Sequence, residues 1–193
     1  RAEHGLTGKR VVMYAGNVGF SQSLDLVVEA ARACGERSDL ADVVFVVNGG
    51  GSARPQLEEH AAGLGNVVFV DFQPKERLPE VLAAADIHVV PLRRGLARSS
   101  VPSKTYSILA AGRPVLAAID PGTEVPRMLA ASGGGVAVPP DDPAAFREGL
   151  AGLLGDLDRA RAMGVAGRRW VLGAASPNAV ALAYERLVRS LAR

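Results

Sequence analysis

Residues 101–115 read VPSKTYSILAAGRPV and contain the local pattern that decides the fold. They follow an apolar run at residues 87–92, typical of a buried parallel strand, and an arginine-rich loop. A short predicted helix opens at Pro102 and closes at Gly112. A helix that begins at the carboxyl end of a strand presents unpaired N–H groups and a positive dipole end there. This segment therefore predicts a place to hold phosphate, to which Lys104 adds a full charge.

The same alternation of strand and helix runs through the whole chain. The predicted strands are short and nearly continuous in apolar residues, and they cover residues 10–14, 43–48, 67–70, 87–91, 115–118 and 135–138. The predicted helices lie near residues 23–33, 53–64, 75–85, 103–111 and 123–131. A further helix starts at Asp142 and Pro143, and two more cover residues 156–172 and 177–191. The pattern predicts an α/β fold, a Rossmann-like, doubly wound, six-stranded parallel sheet with helices on both faces.

Composition limits the function classes. The 193 residues, 48% of them hydrophobic, fit one domain over residues 1–193. The 22 basic and 20 acidic side chains almost cancel, which argues against nucleic acid as a partner. A single cysteine, Cys34, excludes an internal disulfide and suits a reducing compartment. The three histidines lack ligand spacing, so no metal site is predicted, and no apolar run reaches transmembrane length; we expect a soluble, cytoplasmic protein.

Ligands of such a sheet bind at the carboxyl ends of its strands, where four loops are expected to converge, at residues 15–23, 48–53, 71–74 and 93–103. In the first loop, Gly16 and Gly19 permit close approach to a phosphate, or simply form a turn. The glycines at 49–51 pack closely against a ligand or a neighbouring loop, or form a flexible connection. The spacing is not GxGxxG, and Asn48 stands where a dinucleotide-binding domain has an acid, so a nicotinamide site is disfavoured.

Individual residues at this edge leave alternatives open. The backbone of Asp71 and Phe72 can read a nucleobase edge, with Phe72 as an apolar wall, but a buried aromatic is more often core. Lys104 in the first turn of a helix opposes the dipole unless an anion binds, although most lysines simply face solvent. Ser103 either donates its hydroxyl to that anion or caps the helix. Glu124 begins a predicted helix, where an acid is stabilising, so its position favours a capping role over hydrogen bonds to a sugar or ribose.

Together these segments resemble the carboxyl-terminal, nucleotide-sugar-binding domain of group 1 (family four) glycosyltransferases of the GT-B fold. The motifs that carry the resemblance are YAGNVG, VVNGGG, VVFVDFQPKERLPEVLAAADIHVVPL, VPSKTYSILAAGRPVLA, GTEV and GGGVAVPPDDPAAF. A GT-B enzyme has two Rossmann-like domains, and this length covers one. The resemblance therefore implies that the acceptor-binding amino-terminal domain is absent from this chain and is its partner.

The resemblance also implies positions for a nucleotide-sugar donor. It places the diphosphate near Gly16, Asn17, Gly19, Arg98, Ser103 and Lys104. It places the nucleobase and ribose near Asp71, Phe72, Gln73, Ser107 and Glu124, and the sugar near Ser99. Two glutamates that the family commonly carries eight positions apart are replaced by Ser99 and Ser107, as in a branch with a proline–serine–lysine signature. In that branch Lys104 neutralises the diphosphate, with help from Arg98.

The implied reaction transfers a sugar to an acceptor hydroxyl, with retention of configuration and without a metal or other cofactor. Family relatives imply bacterial surface polysaccharide or glycolipid synthesis, with a lipid-linked or saccharide acceptor at the inner face of the membrane. Because the second domain closes over the donor, this piece alone is expected to have little activity. The alternatives are a nucleotide-sugar epimerase of GT-B architecture, which needs acid–base groups that do not cluster here, and a catalytically inactive binding domain, which the missing glutamates favour.

Overall fold

The computed structural model describes residues 1–191 and contains a six-stranded sheet. Its strands are β1 (Arg10–Ala15), β2 (Val43–Asn48), β3 (Val67–Val70), β4 (Ile87–Pro91), β5 (Val115–Ala118) and β6 (Gly135–Val138). They lie in the order β3-β2-β1-β4-β5-β6, and every neighbouring pair is parallel. The predicted doubly wound sheet is confirmed, with β1 one residue longer than expected. The strand order reverses between β1 and β4, which is where folds of this type bind ligands.

Within residues 1–191, eight α-helices connect the strands and extend beyond them. They are α1 (Asp25–Gly35), α2 (Arg54–His60), α3 (Leu78–Ala83), α4 (Lys104–Ala110), α5 (Glu124–Ser132), α6 (Pro143–Leu154), α7 (Leu157–Ala174) and α8 (Pro177–Leu191). Asp142 caps α6 as predicted, since its carboxylate accepts a 2.9 Å hydrogen bond from the Ala145 amide and Pro143 takes the first helical position.

Two helices are shorter than the sequence predicts. Helix α2 ends at His60 rather than near residue 64, and Gly63 follows in a left-handed conformation with φ of 82°. The predicted helix at 75–85 begins as a 3₁₀ turn, Lys75–Arg77, and becomes α-helical only from Leu78. Pro79 occupies the first turn of α3, where the N–H that proline lacks would have no partner in the helix.

The two faces of the sheet carry separate hydrophobic cores. Because side chains alternate along a strand, Val12 and Tyr14 point to one face and Val11 and Met13 to the other. The first face packs against α1, α2, α6 and the first half of α7, and the second against α3, α4, α5 and the second half of α7. None of the helices described within residues 1–191 combines the length and the apolar character needed to cross a membrane.

Helix α4, which starts at Lys104, is fixed from outside by glycines of α7. A β-carbon on Gly164 would lie 2.2 Å from the carbonyl oxygen of Gly112, just after α4, and one on Gly167 would lie 2.6 Å from a methyl carbon of Leu109. The Arg168 guanidinium also donates a hydrogen bond to the carbonyl of Ala110 at the end of α4. Backbone contact between α7 and the end of α4 thus sets the position of α4 relative to the sheet.

Replacing Gly164 with alanine is therefore expected to destabilise the fold by about 1–3 kcal/mol, because the new methyl group overlaps backbone atoms that cannot move aside. The matched control is Gly173→Ala in the same helix, where no atom beyond the adjacent backbone of α7 lies within 4 Å of the new β-carbon. That variant should be as stable as the original chain or slightly more stable. Urea unfolding of both variants measures the difference, and equal stabilities would contradict the proposed contact.

Candidate functional site

A cleft of about 210 Å³ opens at the carboxyl edge of the sheet, beside the point where the strand order reverses. The ends of β1 and β2, the loop after β3, and helices α3 and α4 form its walls. Five residues predicted for the site line this one cleft: Gly16, Phe72, Gln73, Lys104 and Ser107. The structure thus brings together residues from two loops and one helix that are up to 91 positions apart (16 to 107).

Glycines after β2 let two loops touch through their backbones. Gly49 and Gly51 have φ angles of 141° and 153°, respectively. A β-carbon on Gly49 would lie 1.9 Å from the carbonyl oxygen of Gly16, and one on Gly51 would lie 2.3 Å from the carbonyl oxygen of Val18. The amides of Gly16 and Val18 donate hydrogen bonds of 2.9 and 2.8 Å to the carbonyls of Asn48 and Gly50. Gly49 and Gly51 of the triple glycine therefore serve loop-to-loop packing, one of the two roles that the sequence left open.

Lys104 is the first residue of α4, and its ammonium group reaches across the end of β1. The Nζ atom lies 3.9 Å from the centre of the Tyr14 ring, and a β-carbon on Gly16 would come within 2.6 Å of it. Burial lowers the pKa of Lys104 to about 8, because water is removed from the charged group. Within residues 1–191 no carboxylate lies within ion-pair distance of this amine. The cleft therefore carries a cation that lacks an anionic partner there.

Tyr14 supports both this cation and the loop beside it. Its side chain is fully buried, and its hydroxyl donates a 2.5 Å hydrogen bond to the carbonyl of Asn17, whose own side chain is exposed. The face of its ring meets the ammonium of Lys104, the arrangement of a cation–π interaction. Reasoning from sequence did not assign Tyr14 a role. The available signal was an aromatic residue at the end of a strand, directly before a glycine loop.

The loop after β3 forms the other part of the cleft. The carboxylate of Asp71 accepts a 2.5 Å bond from Arg54, and its backbone carbonyl accepts bonds from the side chains of Asn48 at 2.9 Å and Gln73 at 3.1 Å. These bonds fix the loop, while the ring of Phe72 stays 60% exposed. Phe72 is thus an exposed wall of the cleft and does not belong to the core. Sequence reasoning missed Arg54, which lies 17 positions from its partner.

The remaining predicted residues do not line this cleft. Gly19 borders a separate small hollow, beside Phe20 and Arg93. Ser103 precedes α4 without a capping bond from its hydroxyl, so the capping role is not observed. Arg98 and Ser99 are exposed on the loop between β4 and α4, and Glu124 is the exposed first residue of α5. In the part of the chain that the structure describes, no three His, Cys, Asp or Glu side chains group as metal ligands.

Comparison with known proteins establishes the family. The family model described as "Glycosyl transferases group 1" matches residues 9–156 of this chain. The chain belongs to that family. Among its relatives, WcaI of Escherichia coli strain K12, provisionally named a colanic acid biosynthesis glycosyl transferase, is 38% identical over 104 residues, which cover 54% of this chain and 25% of WcaI. The sequence-based resemblance is confirmed.

A second relative aligns with more of the chain. The GDP-mannose-dependent alpha-(1-6)-phosphatidylinositol monomannoside mannosyltransferase of Mycolicibacterium smegmatis is 31% identical over 178 residues, 89% of this chain and 46% of that enzyme. The Anabaena protein Alr3699/HepE, solved in complex with UDP-glucose, superposes with a TM-score of 0.76 at 15% identity, covering 100% of this chain and 51% of that one. That likeness concerns the fold. The chain thus spans between a quarter and about half of the length of these proteins.

Exchange of Lys104 for methionine is expected to raise the free energy of unfolding at pH 7 by about 2 kcal/mol, because a desolvated charge is removed. The lysine pKa is lower in the folded state than in the unfolded state, so the unfolded state binds more protons between about pH 8 and 10. The original chain therefore gains stability as pH rises through this window, and the advantage of the variant shrinks. Urea unfolding at pH 7 and 9.5 tests this. Lys9→Met, which changes a lysine at the opposite end of β1, is the control. A difference in stability between the original chain and Lys104→Met that does not change with pH would contradict the lowered pKa of Lys104.

Substitutions of Tyr14 separate its ring from its hydroxyl. Tyr14→Phe keeps the ring and loses the bond to Asn17, whereas Tyr14→Leu loses both. We expect the pKa of Lys104 to fall about half a unit further in the leucine variant, because the ammonium loses its cation–π partner. The pH dependence of amine labelling at Lys104, followed by mass spectrometry, measures this pKa. Equal values in the two variants would show that the ring does not stabilise the ammonium.

Proposed function

We propose that this chain is the nucleotide-sugar-binding part of a bacterial glycosyltransferase that moves a sugar from a nucleoside diphosphate to an acceptor hydroxyl. One observation carries the proposal: a single cleft is lined both by the ammonium of Lys104, which has no anionic partner within residues 1–191, and by the exposed ring of Phe72. A nucleoside diphosphate has the matching pair of groups, an anionic diphosphate and a flat base.

The diphosphate binds at the end of the cleft where Lys104 and Gly16 meet. Gly16 leaves room there for the ammonium group itself, since any side chain at this position would collide with the amine. Attraction between the ammonium and a nearby phosphate is strong in a partly desolvated site, so binding raises the lysine pKa back toward its ordinary value. Arg98, Ser103 and the loop at Asn17 and Gly19 lie at the same edge of the sheet and complete this part of the site in our proposal.

The nucleobase stacks against Phe72. Arg54 already occupies the carboxylate of Asp71, and Asn48 and Gln73 occupy its carbonyl. The other backbone groups of residues 71–73 therefore contact the edge of the base in our proposal. Ser107 lies in the cleft wall between base and diphosphate and is our candidate ribose contact, together with Glu124 at the start of α5. The Mycolicibacterium relative is named as dependent on GDP-mannose and HepE was solved with UDP-glucose, which supports a guanosine or uridine donor.

Lys104 stabilises the leaving group in the proposed reaction. Breaking the bond between the anomeric carbon and the phosphate oxygen leaves positive charge on the sugar ring and negative charge on the diphosphate. An ammonium placed where that negative charge develops lowers the barrier, because it needs no reorganisation during the step. In our proposal the acceptor is held by an amino-terminal domain outside this chain, and the names of the relatives, which mention colanic acid and a phosphatidylinositol mannoside, favour a saccharide or a lipid-linked acceptor.

An epimerase fits the cleft less well. Moving a proton on and off a sugar requires an acid and a base beside it, and Lys104 is the one titratable side chain among the residues lining this cleft in the described part of the chain. A catalytically inactive binding domain remains the second candidate, since Ser99 and Ser107 replace the expected pair of glutamates. Full-length enzyme that binds a nucleotide sugar without transferring or hydrolysing it would favour that second candidate.

Calorimetric titration with UDP, GDP and their sugar conjugates tests the proposal. We expect one nucleotide series to bind, and Lys104→Met to weaken that binding at least about tenfold, because hydrogen bonds and charge pairing to phosphate are lost. Phe72→Ala should weaken the binding of the nucleoside monophosphate and diphosphate by a similar factor of about ten, through lost stacking.

Lys9→Met is the control for the lysine variant, since it makes the same chemical change at the amino end of β1, away from the cleft. Its affinity should equal that of the original chain. Absence of binding by the original chain to every nucleotide at millimolar concentration would overturn the proposed function. Binding that Lys104→Met leaves unchanged would remove Lys104 from the site.

A further inference from the structure

Two carboxylates from neighbouring loops hold the segment that follows β4. The side chain of Asp120, just after β5, accepts hydrogen bonds from the amides of Gly95 at 2.8 Å and Ala97 at 3.3 Å. Asp141, after β6, accepts a 2.9 Å bond from the amide of Arg94. Three amides within four consecutive residues are therefore bound to acidic side chains from elsewhere in the fold. We refer to residues 93–99 as the β4 loop.

Asp141 ties the β4 loop to a third part of the molecule. Its second carboxylate oxygen accepts a hydrogen bond from the hydroxyl of Ser23, which is almost fully buried just before α1. The Arg94 guanidinium adds a 3.0 Å bond to the carbonyl of Pro140, the residue before Asp141. The segments that follow β1, β4 and β6 are thus joined through one carboxylate.

The backbone at Asp141 indicates that its carboxylate has a specific use. Its φ is 53°, and among residues 1–191 it is the one residue other than glycine with a positive φ. Glycine adopts this conformation without cost, and aspartate, which tolerates it better than most other residues, adopts it at a small cost. Capping of α6 does not explain the acid, because Asp142 performs that function. Strain of this kind persists where the surrounding contacts stabilise it, and here those contacts are hydrogen bonds to Ser23 and Arg94.

The carboxylate of Asp141 is ionised under ordinary conditions. Burial acts to raise its pKa, but the hydrogen bonds from Ser23 and from the Arg94 amide, with the nearby arginines, outweigh it and leave the pKa below the usual value. Hydrogen bonds to an ionised acceptor are stronger than those between neutral groups. The attachment of the β4 loop is therefore a charge-assisted one.

The β4 loop presents one cation that is still available. Arg93 donates a 2.7 Å bond to the carbonyl of Phe20 and lies 3.3 Å from the carboxylate of Asp25. Arg94 is bound to Pro140. Arg98, in contrast, is exposed and has no acidic partner within 4 Å in the described part of the chain, and Ser99 follows it. The fixed arginines anchor the loop, and the free one lies next to the segment that leads into Lys104.

We propose that Asp120 and Asp141 are positioning residues that hold the β4 loop in a shape that directs Arg98 and Ser99 toward the diphosphate and sugar of a bound donor. This inference rests on the proposed function. An exposed loop that orders only on binding loses conformational entropy at that moment, so a loop fixed in advance gives tighter binding. The two carboxylates act through the loop and do not touch the donor.

Hydrogen exchange of the free protein tests the attachment itself. Asp141→Gly removes both acceptor oxygens yet adopts a φ of 53° without strain, and Asp120→Ala removes the other acceptor. Mass spectrometry should show the amides of the β4 loop exchanging roughly tenfold faster in each variant, as expected for loss of a hydrogen bond to a charged group. Asp142→Asn, which alters the charge one position away and retains a good helix cap, should exchange like the original chain.

Titration with UDP and UMP, and with GDP and GMP, tests the positioning role. We expect affinity for the diphosphates to fall about tenfold in Asp141→Gly and Asp120→Ala, while affinity for the monophosphates changes less than about twofold, because Phe72 holds the base and a monophosphate lacks the second phosphate that the β4 loop contacts in this proposal. A merely structural role would move both affinities together. Asp142→Asn should change neither.

The outcomes separate this inference from the proposed function. Unchanged exchange in the β4 loop would overturn the attachment by the carboxylates. Faster exchange with an unchanged ratio of diphosphate to monophosphate affinity would overturn the positioning role, while nucleotide binding by the original chain keeps the donor site. If the original chain binds none of the four nucleotides, the proposed function fails and the positioning role fails with it.

Discussion

Direct contact between two backbones, at the ends of β1 and β2, is the constraint on which the cleft depends. The loop at Gly16 and the loop at Gly49 and Gly51 approach so closely that a single methyl group would separate them. This contact brings the end of β1 beneath the amine of Lys104 and leaves the adjoining loop after β3 to carry Phe72. Glycine is therefore required here by geometry. The requirement falls on Gly49 and Gly51, whereas a β-carbon on Gly50 would make only ordinary contact with the Phe72 ring.

Lys104 illustrates a conflict between stability and binding. Its ammonium is partly withdrawn from water, receives support from the Tyr14 ring, and meets no carboxylate in the described residues. A structure selected for stability alone would place a neutral side chain there, since an unpaired charge in such a place costs free energy. The unpaired charge is explained if an anion binds beside it. Groups whose pKa values are perturbed in this way concentrate at functional sites for the same reason.

The sequence predicts most of the fold because strands buried on both faces are recognisable from their own residues. All six strands were located, and the errors fall where local signals are weak: α2 ends early before Gly63, and α3 opens with a 3₁₀ turn. The site was harder to predict, since its connections join distant residues. Arg54 reaches Asp71 and Asp141 reaches Ser23, 118 positions away, and no spacing rule in one sequence specifies such pairs.

The contact of α7 with the end of α4 extends the sequence requirements of this protein well beyond its ligand-binding edge. Gly164 and Gly167 lie on an outer helix, yet their lack of side chains fixes where α4 sits. Evolution can therefore vary much of that outer surface but has few alternatives at these two points. Engineering that aims to resurface the protein, or to fuse another domain onto α7, must preserve this narrow strip, although it never meets a substrate.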